Sequence, residues 1–182
     1  MQAVEELLRR HCTPHTTDIL MTHGKMIAGK ALLVCATVNA DAITRRLVIE
    51  AAYLHDIGVC RVDAPEIGGN GSEPYIRHGV LGREILEAEG LPIQSLFCER
   101  HIGVGLTIDD IISQNLPLPH RDMTPQTLAE RIICYADLFF SKNPKQLEQE
   151  KPVEKIRKSL ARFGEEKVAI FDSWLREFGG LA

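Results

Sequence analysis

Apolar positions recur at helical spacing along almost the whole chain. Val4, Leu7 and Leu8 follow an i, i+3, i+4 pattern that predicts a short helix ending before Thr13-Pro14. A second helix is predicted over about 16–38, with Ile19, Leu20, His23, Ile27, Ala31 and Val34 on one broad face. Asp41 is a cap for a third, whose apolar positions Leu47, Val48, Ala51 and Leu54 run into His55-Asp56-Ile57-Gly58. Gly58 reads as a C-terminal cap, which puts His55 and Asp56 in the last helical turn.

Residues 59–73 break the pattern, and Gly68-Gly69-Asn70-Gly71 reads as a flexible loop over a site mouth. Without a preceding strand or a P-loop lysine, it is not a phosphate cradle. Glu73-Pro74 starts a helix that carries His78 and closes at Gly90, and Pro92 opens another that ends near His101. Thr107-Ile108-Asp109-Asp110 resembles a capping box with Asp in the usual Glu position. After the stiff Pro117-Leu118-Pro119-His120 connector, Thr124-Pro125 reads as the start of a helix carrying Ile132, Ile133, Ala136 and Asp137.

Two further helices are predicted after Asn143. One has a basic face (Lys155, Arg157, Lys158, Arg162), read as solvated surface. The other has an apolar stripe (Ile170, Phe171, Trp174, Leu175, Phe178), read as core or as the contact of a possible homodimer. No stretch shows a convincing strand pattern, so the fold class is all-α.

Composition narrows the setting. A 182-residue chain that is 45% hydrophobic and 25% charged is an ordinary globular protein. The net charge of −4 lacks the basic excess of a polyanion groove, so long nucleic acid is disfavoured as a partner. A small anionic substrate stays open, because bound cations can supply positive charge locally. The five scattered cysteines never form C-x-x-C and fit a reducing cytoplasm. No unbroken apolar run approaches the roughly 18 residues of a membrane span. The acidic, amphipathic N-terminus does not read as a signal peptide.

The chemistry lies in polar residues placed among apolar ones. His23 interrupts an apolar face, His55-Asp56 ends a helix of Leu, Val, Ile and Ala, and Asp137 interrupts the run from Ile132 to Phe140. An ionised aspartate in such surroundings is costly unless paired or metal-bound. For Asp137 the alternative is a salt bridge to Arg131 or Arg45. For His23 or His78 taken alone, it is a hydrogen-bonded core histidine.

The order His23, His55-Asp56 within His-Asp-Ile-Gly, and Asp137 within Tyr-Ala-Asp-Leu resembles the HD-domain metal-dependent phosphohydrolase superfamily. His78 and His101 look like the additional ligands of its two-metal subgroup. The resemblance implies a single HD-type helical bundle over 1–182, with a core of about 15–142 and a helical extension over 143–182. It implies that His23, His55, Asp56 and Asp137 bind a first metal, with Asp56 bridging to a second held by His78 and His101. Asp56, His78 and His101 would then act at the reacting centre. Two such ions, ~3.5–4 Å apart, lower the pKa of a bridging water and clamp an in-line phosphoryl displacement. Iron, manganese, cobalt or nickel suits the mixed nitrogen and oxygen donors.

Arg77, Arg121 and Lys142 are candidate phosphate contacts, His120 could line the entrance, and Lys25 points away. The expected activity is hydrolysis of a nucleotide or another small phosphorylated metabolite. A mixed-valent di-iron oxygenase on the same scaffold is the alternative, and a non-catalytic nucleotide-binding module is a third.

Overall fold

Caps and prolines cut the chain into helices in a computed structural model, which describes residues 2–179. After α1 (Gln2–His11), Thr13 caps α2 (Pro14–Thr37) by accepting the Thr16 N–H at 3.2 Å. Pro14 fills the first turn, where its missing N–H costs nothing, so α2 starts two residues earlier than its apolar periodicity suggests. Asp41 caps α3 (Ala42–Leu54) by accepting the Thr44 N–H at 2.7 Å, as expected.

Gly58 does not cap α3. His55 is the capping residue, Asp56 leaves helical geometry (φ −105°, ψ 8°), and a 3₁₀ turn runs over Ile57–Arg61. Gly58 lies inside that turn, where a Cβ would fall 2.0 Å from the carbonyl oxygen of His78. Glycine is required by this close backbone approach rather than by a left-handed angle.

The segment read as a flexible loop is a small hairpin instead. β1 (Asp63–Ala64) and β2 (Gly69–Asn70) pair antiparallel around a 3₁₀ turn at Pro65–Ile67, and Gly68 makes the reversal at φ +81°. Strands of two residues carry no readable alternation, so no sequence pattern announced them.

A 3₁₀ turn, Tyr75–Arg77, leads into α4 (His78–Ala88), followed by α5 (Pro92–Arg100). The capping box of Thr107 and Asp110 opens α6 (Ile108–Ser113) as expected. α7 (Leu128–Leu138) begins at Thr127 rather than at Thr124-Pro125. Thr127 has Glu130 at the third helical position, so the two residues satisfy each other's backbone N–H groups, which Thr124 has no partner to do. α8 (Val153–Leu160) and α9 (Glu165–Glu177) complete the described helices.

α2, α3 and α7 pack on one another through Ile27, Ala31, Val48, Ala51, Ile132 and Ile133. Phe171, Trp174, Leu175 and Phe178 bury themselves against the same cluster. That aromatic stripe is therefore core, and the ground for expecting a homodimer through it is removed. A second cluster joins α1 and the α4–α5 hairpin to the end of α3. By length and mean hydropathy α2 does reach the size of a membrane span, although Lys25 and Lys30 interrupt it, so it is not an unbroken apolar run. Half of that stretch is buried within the chain, which is how a core helix behaves.

Candidate metal centre

Five helices and the turn after α3 point polar side chains at one spot. α2 supplies His23, the end of α3 supplies His55 and then Asp56, α4 begins with His78, α5 ends at His101, and α7 supplies Asp137. His23, His55, Asp56, His78 and His101 are each no more than 4% exposed. The crossing that seats His23 is tight. A Cβ on Gly24 would lie 2.8 Å from the Ala52 carbonyl oxygen, so α2 and α3 approach closely beside the site.

The donor atoms fall into two groups that share Asp56. His23, His55, Asp56 and Asp137 form one, and Asp56, His78 and His101 form the other, with donor atoms in each within 4.8 Å. His23 Nε2 lies 3.0 Å from Asp137 Oδ1 and 3.4 Å from Asp56 Oδ2. His55 Nε2 lies 3.1 Å from Asp56 Oδ2, and His78 and His101 Nε2 lie 3.5 and 3.3 Å from Asp56 Oδ1. The alternative partners for Asp137 are engaged elsewhere: Arg131 with Glu177, and Arg45 with the carbonyls of Ala40 and Cys35.

Three imidazoles have their tautomer set by the backbone. Nδ1–H of His55 donates to the carbonyls of Ala51 and Ala52, that of His78 to Tyr75, and that of His101 to Cys98 and Phe97. Each Nε2 is thereby the ring nitrogen aimed inward, the arrangement a metal-ligating histidine adopts. His55 Nε2 and both carboxylate oxygens of Asp56 are buried without a hydrogen-bond partner. His78 Nε2 and His101 Nε2 face each other at 3.1 Å. Two lone pairs that close need an electrophile, so this donor set fits a transition-metal cation.

One lysine offsets part of the charge of the two carboxylates. Lys142 Nζ, half-buried, lies 2.9 Å from Asp56 Oδ2 as an ion pair without hydrogen-bond alignment. Because α7 ends at Leu138, Lys142 arrives by the chain folding back rather than by one further helical turn. Burial opposes the charge on Lys142, yet Asp56 outweighs it and raises the ammonium well above its ordinary value. Burial likewise opposes ionisation of Asp56 and Asp137. His55 and Lys142 outweigh it at Asp56, and Lys142 and His23 at Asp137, holding both carboxyls well below the usual range. Against the same burial, Asp56 and Asp137 push His55 up to about 10, so a cation bound at its Nε2 would displace a proton. Burial and the neighbouring His101 lower His78 to about 3, so this imidazole stays neutral.

The cluster opens on a cleft of about 740 Å³ whose lining includes Asp137, Lys142, Tyr75, Glu66, Lys145 and Lys151. Tyr75, Glu66, Lys145 and Lys151 carried no periodic signal and were not read as site residues. The Tyr75 ring stacks on His78 at 4.7 Å and 27°. Of the three proposed phosphate contacts, the fold brings only Lys142 to the cleft. Arg77 pairs with Glu73 at 2.8 Å, and Arg121 pairs with the buried Glu99, which also holds Arg83. His120 and Lys25 are exposed, and neither lines the cleft.

A family model for the HD domain matches residues 16–140. A protein of Thermoplasma volcanium named tRNA (cytidine(56)-2′-O)-methyltransferase is 30% identical over 160 residues, covering 87% of this chain and 42% of its own length. A protein of the same name from Picrophilus torridus is 31% identical over 125 residues, 68% of this chain and 32% of its own length. An uncharacterized protein of Methanocaldococcus jannaschii is 37% identical over 118 residues, 64% of this chain and 61% of its own. The chain thus spans less than two thirds of each of these relatives. No solved structure gives a significant match to it.

Proposed function

The chain belongs to the HD domain family, and we propose that it is a metal-dependent phosphohydrolase acting on a nucleotide or another phosphate ester. The observation that carries this reading is the set of three backbone-locked imidazoles gathered around the buried Asp56 and the half-buried Asp137, beside a lysine-lined cleft. His23, His55, Asp56 and Asp137 would hold a first cation, and Asp56, His78 and His101 a second. Two divalent ions bound there would supply an acidified water as the nucleophile near neutral pH and positive charge to offset that on the leaving oxygen.

The chain's own groups do the rest. The carbonyls of Ala51, Tyr75 and Cys98 keep the imidazoles in the ligating tautomer. Lys142, at the inner end of the cleft, would bind and orient a substrate phosphate oxygen, an ammonium kept fully charged by Asp56. The Tyr75 ring shields His78 from the open side. Four of the five thiols are buried and all are free, which supports a reducing, cytoplasmic setting.

Two relatives are named for acting on tRNA. RNA therefore joins the candidate substrates, and the expectation that long nucleic acid is disfavoured is withdrawn. We assign the methyl transfer in those names to the part of their length that this chain does not span. The cluster here is built of cation donors, and the described residues form no sheet beyond the two-residue hairpin.

The test is a phosphatase and phosphodiesterase panel on metal-reconstituted protein, with metal analysis. Turnover by wild type that is lost in His55→Ala supports the reading. Equal rates for the two proteins across the panel overturn it. A di-iron centre with a half-oxidised paramagnetic signal and no phosphate release would point to oxidative chemistry instead.

A further inference from the structure

Lysines continue outward from the metal cluster along one wall. Lys142 sits at the inner end of the cleft, Lys151 lies on its wall and Lys145 near its rim. A smaller adjoining hollow of about 100 Å³ shares Ser141 and Lys151 with the cleft and adds Lys155. Most cations around this fold are neutralised: Lys142 by Asp56, Lys30 by Glu150, Lys167 by Asp110. Among the described residues Lys145, Lys151 and Lys155 have no carboxylate within ion-pair distance. The carboxylates that share the two hollows with them are Asp137, which belongs to the cluster, Glu66 across the cleft, and Glu150, already held by Lys30.

Lys151 is not a freely waving surface chain. Its backbone N–H donates to Phe139 at 2.7 Å and its ammonium to the Leu138 carbonyl at 3.1 Å, one residue along from Asp137. Burial lowers its pKa; Asp137 opposes this, and the charges of Lys142 and Lys155 add to the lowering. A half-buried cation crowded by other cations and lacking a counter-charge is a place where an anion binds favourably. Lys142 can serve a phosphate at the cluster, and that leaves the outer lysines for a different group.

We propose that Lys151, with Lys145 and Lys155, forms a second anion subsite for a phosphate one link beyond the phosphate held at the metal cluster beside Lys142. The favoured substrate then carries at least two phosphates in series. Two sources offer that chemistry, the diphosphate of a nucleotide and the successive phosphates of an RNA end. The inference rests on the phosphohydrolase reading for the position of the first phosphate.

The experiment is calorimetric binding to the metal-loaded full chain of inorganic phosphate and of pyrophosphate. Wild type is compared with Lys151→Met, Lys151→Arg and the exposed-residue double variant Lys145→Met/Lys155→Met. The expected result is a pyrophosphate preference of about tenfold or more in wild type, cut at least about fivefold by Lys151→Met and restored by Lys151→Arg. The double variant, whose two lysines are exposed, should also reduce it without touching the core. Adenosine diphosphate against monophosphate, and a 5′-phosphorylated RNA dinucleotide against the unphosphorylated one, which carries a single phosphate, separate the two sources by the same ratio. A preference that survives every substitution comes from the metals alone and overturns the subsite, as does equal binding of the two anions by wild type. Because binding is read directly, the subsite can stand or fall separately from turnover. Absence of ester hydrolysis with the preference intact would strike the phosphohydrolase reading only.

Discussion

Replacing Gly58 by alanine tests how the fold aligns the two groups of donors. A Cβ at this position would sit 2.0 Å from the His78 carbonyl oxygen and 2.5 Å from the Gly82 amide nitrogen. Both are backbone atoms of α4, so no side chain can swing aside. Real Cβ contacts essentially never fall under 3.0 Å, so the 3₁₀ turn and α4 must separate by about 1 Å. Overpacking of this kind costs about 1–3 kcal/mol, at the upper end when backbone must move, and alanine's better helical propensity returns at most about 1. A net loss of about 2 kcal/mol in a chain of this size lowers Tm by about 4–8 °C. The same displacement moves His78 away from Asp56, and about 1 Å of misplacement at a reacting centre can cost about 10²-fold in rate. Calorimetry of metal-free protein reads the first effect, and metal stoichiometry with turnover reads the second. If Gly58→Ala melts with wild type and retains full metal content, the close approach does not position His78 and the reasoning fails.

Two other outcomes follow from the ion pairs. Lys142→Met should lower kcat/KM by about 10²-fold, whereas Arg121→Met should leave it within about twofold and cost about 1 kcal/mol of stability, because Arg121 pairs with Glu99 outside the cleft; steady-state kinetics and melting on both variants decide this. At the α6 cap, burial opposes ionisation of Asp110, but Lys167 and Thr107 outweigh it and hold the carboxyl below its usual value. A depressed folded-state pKa means stability present above the unfolded value of about 3.9 and lost as pH falls through the folded one. Asp110→Asn should therefore be destabilised by about 1–3 kcal/mol at pH 7, and the gap from wild type should close in urea titrations as the pH is lowered below about 4. A gap that does not change with pH would refute the assignment.

The all-α fold and most of the metal-cluster residues were legible in the chain alone because the signals are local. Helical periodicity needs only neighbours along the sequence, and the capping residues Asp41 and Thr107 act within one turn. His23, His55 and Asp137 stood out because a titratable group inside an apolar face is costly without a partner. Where a local rule was satisfied by a distant contact, the sequence misled. Gly58 looked like a helix cap because glycine serves caps, but the demand for it comes from α4 passing over its backbone, some twenty residues away. Arg77, Arg121 and Lys142 were indistinguishable as isolated cations. The tertiary structure spent two on Glu73 and Glu99 and folded the third back onto Asp56. Tyr75, Lys151 and the short hairpin gave no periodic signal at all, because one ring, one ammonium and strands of two residues have no period. The sequence determined which residues could hold a cation. Only packing decided that their donor atoms share Asp56 and that unpaired lysines line the way in.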